Sequence, residues 1–229
     1  MSNIDFDKKK AAHYEDLARK AVFGYDQLFI MALALLAEQQ NESANVLIAG
    51  CGTGMELITF GNLMPNWRLT GVDPSEEMIK RSKANIDIHG LSDRVTLHHG
   101  FVESLPKEDK YDAATLIFVL RFITEDRKKL SLFQDIAKRL RTGAKLILID
   151  QYSDSNIEHF EYMSKAWRNF MKLSGVPSEL VLKIAVQAIG KSFFTETGIQ
   201  KLLTEAGFSN ANRFYNSFMH GGWVVQKIK

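Results

Sequence analysis

The sequence predicts an α/β fold: a Rossmann-like doubly wound, mostly parallel seven-stranded sheet with helices on both faces, N-terminal helices and a helical insert after strand 5. Three observations predict it. Short apolar runs alternate with segments of helical period between residues 45 and 150. Those runs are nearly all apolar and bounded by turn residues, as strands covered on both faces are. The first of them, Val46-Leu47-Ile48-Ala49, feeds the turn Gly50-Cys51-Gly52-Thr53-Gly54, where a glycine recurs at every second position before a helical pattern begins at Met55.

Each element follows from local signals. Helical patterns cover roughly 6 to 22 and 25 to 40, ahead of a strand at 45–50. The helix Met55–Leu63 follows the glycine turn, and Trp67-Arg68-Leu69-Thr70-Gly71-Val72 forms the second strand. Asp73-Pro74-Ser75 then opens the helix Glu76–Ile88, with Ser75 as N-cap and His89-Gly90 as its stop. Strands follow at 94–99 and 112–118, then a helix at 125–140 closed by Thr142-Gly143, and the strand Lys145–Asp150. Beyond Asp150 the alternation breaks. His159–Leu173 places Phe160, Met163, Trp167, Phe170 and Met171 at helical spacing, and Leu180–Ile189 is apolar nearly all round, which predicts a buried helix. The last helix, Glu196–Ala206, and strands at 210–215 and 218–227 complete the chain. The expected organisation is one domain over 1–229: a helical cap at 1–44, a cofactor-binding core at 45–152, an insert or lid at 153–190, and the last helix with its closing hairpin at 191–229.

Composition narrows the class. At 229 residues, 45% hydrophobic and 24% charged, the chain can bury a substantial core. Cys51 is the only cysteine, so an intrachain disulfide is impossible, which favours a reducing, cytoplasmic setting. Asp5 and Asp7 break the basic-then-apolar order of a signal peptide, and no run approaches the ~20 apolar residues of a membrane span. Cys/His pairs at metal-ligand spacing are absent, so no metal is expected. The basic residues Arg121, Arg127, Lys128, Lys129, Lys138, Arg139 and Arg141 lie mostly on one predicted helix with Glu125, Asp126 and Asp135. That mixture predicts a solvated face rather than a phosphate track, so nucleic acid is not the expected partner.

The glycine turn predicts a nucleotide-type ligand cradle, because glycine lets main chain approach a ligand that a Cβ would block. Asp73 stands 23 residues after Gly50, at the end of the second strand, where a carboxylate reaches ribose hydroxyls. Dinucleotide sites use GxGxxG; the spacing here is GxGxG, with Met55 where the third fingerprint glycine would sit. S-adenosylmethionine (SAM) is the better fit.

Four ordered blocks resemble the class I SAM-dependent methyltransferases: Val46 to Gly54, Leu69 to Ser75, Val95 to Leu105 and Tyr111 to Phe122. The resemblance implies methyl transfer from SAM, with S-adenosyl-L-homocysteine as product, by in-line displacement to an acceptor expected to be a small molecule. It implies cofactor contacts from Gly50, Cys51, Gly52, Asp73, Pro74, Phe101, Val102 and Ile117. Phe101 stands where such families often place an acidic residue for the adenine amine.

The flanking segments Phe23-Gly24-Tyr25, Ser178-Glu179-Leu180, Leu203 to Phe208 and Arg213 to Val225 are similar to the carboxy-SAM synthase and wobble-uridine methyltransferase branch. That likeness implies Tyr25 as a further cofactor contact, and carboxy-SAM synthesis or tRNA modification as the alternative function. Two positions depart from the synthase: its carboxylate-gripping arginine falls on Val186 and its asparagine after the fourth strand on Ile117. Losing that charge-assisted bond costs roughly 1.5 to 3 kcal/mol, which favours ordinary SAM. Tyr14 and His220 are the expected catalytic residues, with His13 and Tyr152 as further candidates for a base. A catalytically silent SAM-binding partner is the third reading, and the insert reads as ordinary packing on the sheet, as a lid over an apolar substrate, or as the face of a homodimer.

Overall fold

The computed structural model describes residues 8–38, 43–108, 110–153, 156–189 and 194–228. Two N-terminal helices, α1 (Lys8–Ala21) and α2 (Tyr25–Ala37), precede β1 (Asn45–Ala49), α3 (Met55–Leu63), β2 (Arg68–Asp73), α4 (Glu76–Ile88), β3 (Val95–His99), β4 (Tyr111–Ile117), α5 (Asp126–Arg139) and β5 (Leu140–Ser153). The insert is α6 (Ile157–Leu173) and α7 (Ser178–Ile189). The chain closes with β6 (Phe194–Thr195), α8 (Glu196–Glu205), β7 (Asn212–Ser217) and β8 (His220–Gln226).

The strand order is β3-β2-β1-β4-β5-β8-β7. β1 to β5 run parallel, and β8 joins antiparallel between β5 and β7. The expected seven strands form this path; an eighth, the two-residue β6, pairs with the end of β5. β5 also begins five residues earlier than the apolar run suggested, because Leu140 already pairs with Tyr111.

Alternation along β1 divides the core. Val46 and Ile48 face Leu28, Leu36, Phe60 and Trp67 on one side of the sheet; Leu47 and Ala49 face Leu116, Phe133, Ile136 and Trp223 on the other. A third, smaller core joins the insert to the cap: Trp167, Met171, Val181 and Ala185 pack with Ala21 and Met219. The Trp167 indole N–H donates to the Ala21 carbonyl at 2.6 Å, satisfying the one polar atom of a buried ring and tying α6 to the end of α1.

Two expectations are corrected. α7 is not buried all round: Val181 and Ala185 turn inward while Leu182 and Val186 are 56% and 71% exposed. The basic face of α5 is not wholly solvated either. Lys129 is buried, donating to Asp126 with its ammonium over the Phe194 ring, and the Arg139 guanidinium donates to the carbonyls of Glu103 and Leu105. Both long side chains bury their stems, Lys129 spending its donor on a carboxylate of its own helix and Arg139 on backbone carbonyls.

Candidate functional site

The carboxyl ends of β1, β2 and β4 meet at a turn the sequence builds from glycine. Gly50 and Cys51 both donate their N–H to the Val72 carbonyl, at 2.8 and 3.0 Å, so the turn is pinned to β2 as it leaves β1. Gly50 has φ of 77°, and a Cβ there would lie 2.3 Å from the Val119 side chain. At Gly52, φ is 52° and a Cβ would meet nothing within 4 Å, leaving bare main chain facing open space.

Asp73 closes this turn. One carboxylate oxygen accepts from the Gly52 N–H at 3.0 Å and the other from the Ser75 N–H at 2.9 Å. Burial raises its pKa, and those two N–H donors work against the rise. Each oxygen keeps a lone pair for an outside donor, as a ribose contact requires. Pro74 is exposed beside it, with its carbonyl 3.2 Å from His99 Nε2; Phe101 is 40% exposed and Val102 is buried. Cys51 is buried, and burial pushes its thiol pKa well up, which fits a packing residue against Gly71.

Between this turn and the cap lies a cleft of about 50 Å³ lined by Tyr14, Tyr25, Phe29, Gly50, Cys51, Gly52, Thr53, Met55, Glu56, Ile117 and Phe118. A larger concavity of about 870 Å³ runs between Phe23, Gly24, Gln27, Leu28 and Met31 and the strand Phe214–Ser217. Size does not decide between them, because the small cleft alone adjoins the glycine turn and holds titratable side chains in depth. Sequence reasoning placed Tyr14, Tyr25, Gly50, Cys51, Gly52 and Ile117 there together; Asp73, Pro74, Phe101 and Val102 lie along the edge outside it.

Glu56 was missed. It sits in the first turn of α3, where an acidic residue reads as a helix-dipole partner on the surface. Instead it is buried, accepting a hydrogen bond from Thr115 Oγ1 at 2.6 Å, and desolvation raises its pKa to about 7 against that bond. The spacing offered one signal: Glu56 is the only charged residue within Met55–Leu63. Phe118 also stands out, with φ of 58° in a bulky residue at the end of β4. Its N–H donates to the Ile149 carbonyl at 2.7 Å, and its ring stacks on Tyr25 at 6.2 Å. Burial holds the Tyr25 phenol protonated.

The two expected catalytic residues part company. Tyr14 lines the cleft, and its hydroxyl accepts from Arg121 Nη2 at 3.4 Å. His220 begins β8, within the expected closing strand, paired with Gln151. Its ring is packed between Phe118 and Trp167, and its Nε2 lies 3.3 Å from Gln151 Nε2. Burial, with the Arg121 charge adding to it, lowers its pKa to about 3, so it is neutral near pH 7 and too weakly basic to draw a proton from an acceptor. The base role expected for His220 does not fit this geometry. Tyr152 points away, donating to Asn216, and the His13 side chain lies outside the described residues. Among the described residues, no group of three or more His, Cys, Asp or Glu side chains is placed to hold a metal, and no single helix is long and apolar enough to cross a membrane.

Comparison with known proteins meets this geometry from outside. The family model described as a methyltransferase domain matches residues 46–143, the stretch that carries the glycine turn, Asp73 and Ile117. The carboxy-S-adenosyl-L-methionine synthase of Colwellia psychrerythraea is 26% identical over 223 residues, covering 95% of this chain and 90% of the synthase. A SAM-dependent methyltransferase structure from Clostridium acetobutylicum superimposes with a TM-score of 0.68 at 15% identity, covering 96% of this chain and 98% of that one. An O-methyltransferase family protein from Burkholderia thailandensis gives a TM-score of 0.67 at 13% identity over 98% of this chain, which spans 61% of that protein. At such identities the two structures speak for the fold, and the domain match and the synthases for the chemistry. Residues 46–143 carry a methyltransferase domain, and the chain as a whole resembles the SAM-dependent methyltransferases and, among them, the carboxy-SAM synthases.

Proposed function

We propose that this enzyme methylates a small-molecule acceptor, with the donor held by the edge of β1, β2 and β4 and the acceptor admitted beneath α1 and the insert. The observation that carries this reading is the pairing, at one glycine turn, of a carboxylate with spare lone pairs and a buried carboxyl that has no cation beside it among the described residues. Gly50, Cys51 and Gly52 would lie against the donor's amino-acid and ribose portions, with Asp73 on the ribose hydroxyls. Pro74, Phe101 and Val102 would follow the adenosine along the edge, and Tyr25 and Ile117 would wall the sulfonium end. Glu56 joins this set as the counter-charge for a cationic donor.

When bound, SAM supplies an electrophilic methyl: the acceptor's lone pair forms the new bond as the carbon–sulfur bond breaks and its electrons pass to sulfur. The protein's own part is alignment, exclusion of water and charge. The insert acts here as a lid fixed to α1 through Trp167, and Tyr14 is the hydroxyl placed to meet the acceptor. A second copy docking on the exposed α7 face is the assembly carried alongside it.

Resemblance to the synthases over nearly the whole chain, together with Tyr25 in the cleft, favours a second reading in which the ligand is carboxy-SAM. Native mass spectrometry of the purified protein separates the two. Retained SAM or S-adenosyl-L-homocysteine is the expected result. Carboxy-SAM would replace the main reading with the second, and a retained dinucleotide would discard both.

A further inference from the structure

Arg121 has more donors than partners. Its guanidinium carries five N–H groups, and the only hydrogen bond it makes among the described residues is the long one to the Tyr14 hydroxyl; its buried Nε has no partner. Two other arginines of this fold spend their terminal nitrogens on backbone, although the Nε of Arg139 and of half-buried Arg168 is, like that of Arg121, buried without a partner. Arg94 donates to the carbonyls of Gly61, Met64 and Trp67, and Arg139 to those of Asp135, Glu103 and Leu105. The Arg121 guanidinium instead lies over the faces of Phe118 and Phe122, at 5.6 and 4.9 Å.

The chain fixes this arrangement from below. Asp150, buried on β5, accepts from the N–H of Leu120 at 2.7 Å and of Gln151 at 2.7 Å, with a longer contact of 3.4 Å from Arg121 N–H. The carboxylate therefore holds the turn Leu120–Phe122 through main chain, and no ion pair joins it to the guanidinium among the described residues. The charged or titratable groups around Arg121 are Asp150, neutral His220 and Tyr14. A half-buried fork of donors beside Tyr14 and Phe118, both of which line the cleft, has the Asp150 charge nearby but no anion at ion-pair distance among the described residues.

We infer that Arg121 and Tyr14 form a carboxylate-binding subsite at the acceptor end of the cleft, so that the acceptor is an anionic small molecule. This rests on the reading of the cleft as the donor site. A planar fork facing a hydroxyl suits bidentate capture of a carboxylate, and the aromatic faces hold the guanidinium in plane. Its place, four residues beyond the end of β4 and beside Phe118, puts it nearer the sulfonium end than the glycine turn that would hold the donor's own amino-acid group.

Isothermal titration of four probes tests it: S-adenosyl-L-homocysteine, 5′-methylthioadenosine, carboxy-SAM, and malonate added to the homocysteine complex, each against wild type and Arg121→Gln. The expected result is that Arg121→Gln weakens malonate binding tenfold or more and changes S-adenosyl-L-homocysteine less than twofold. A tenfold loss for S-adenosyl-L-homocysteine but none for 5′-methylthioadenosine would keep the carboxylate subsite and move its source to the donor's amino-acid end. A loss confined to carboxy-SAM would place that carboxylate on the transferable carbon. Unchanged affinity for all four overturns the inference, while wild type failing to bind S-adenosyl-L-homocysteine at all would fail the donor site itself. Arg121→Lys keeps the charge near Asp150 without the fork; it should fall between the two proteins and serves if the glutamine variant melts early.

Discussion

The two walls of the cleft are built differently. On the side of β1 and β2, the surface is main chain: Gly50, Cys51 and Gly52 are tied to Val72 and Asp73 by N–H bonds, and side chains contribute one carboxylate. On the side of α1 and the turn after β4, it is almost all side chain: Tyr14, Tyr25 and Phe118 line it, backed by Arg121, Trp167 and His220. A main-chain wall suits the part of a ligand common to every turnover, because its geometry tolerates substitution elsewhere. A side-chain wall is where specificity is written.

The largest expected effect breaks the first wall. Asp73→Ala removes the acceptor for the ribose and also releases the N–H groups of Gly52 and Ser75, so SAM affinity should fall about a hundredfold or more, by two charge-assisted bonds of roughly 1.5 to 3 kcal/mol each. Calorimetry reads it directly, and a loss under threefold would mean the ribose lies elsewhere. Tyr25→Phe, on the opposite wall, keeps its packing against Phe29 and Phe118 and should cost less than about tenfold.

Glu56 tests whether the floor joining the walls serves the ligand at the expense of the fold. Its pKa in the folded chain is about 7, above the ordinary 4.5. A carboxyl raised in this way contributes stability that is fully present below pH 4.5 and lost as pH rises through 7, on the order of 3 kcal/mol across the window. His220 runs the other way, its pKa lowered from 6.5 to about 3, so its contribution is present above pH 6.5 and lost as pH falls toward 3. Melting curves of ligand-free Glu56→Gln should therefore show higher stability than wild type at pH 8 and near equality at pH 4. The same variant should bind SAM at least tenfold more weakly at pH 8, and by a larger factor than S-adenosyl-L-homocysteine, which lacks the sulfonium charge. Equal losses for both would assign Glu56 to the amino group instead.

What could be read from the sequence follows the same division. The main-chain wall was legible because glycine spacing and Asp73 are local facts, written within 24 residues, and parallel strands buried on both faces leave unbroken apolar runs. The side-chain wall was legible only in part. Tyr25 came from resemblance and Tyr14 from its residue type and place in the first helix, but the partners that set Glu56 and Arg121 apart lie far along the chain, at Thr115 and Tyr14. The burial of His220 was not legible for a related reason: the closing strand was read, but not its insertion between β5 and β7, where Gly221 and Gly222 make room for Trp223 and Phe214. Lys129 shows the limit of charge patterning, since its burial depends on Phe194, 65 residues away.

The smallest expected effect concerns Val186, where the synthases' arginine falls. On α7 the inward residues Val181 and Ala185 pack on Met171 and Trp167, and Val186 faces solvent without lining the cleft. Val186→Arg should therefore change SAM affinity less than twofold in dilute protein. The paired change Leu182→Glu with Val186→Glu removes the exposed apolar face at little cost to folding, since surface substitutions of this kind usually shift stability within about 0.5 kcal/mol. If a second copy covers that face, sedimentation should show wild type as a dimer and the double variant as a monomer. If both sediment as monomers, α7 is a solvent-facing lid helix, and discrimination among ligands rests with the Arg121 side of the cleft alone. Arginine at 186 that raised carboxy-SAM affinity only at dimer-forming concentrations would instead show that the side-chain wall is completed by a neighbour.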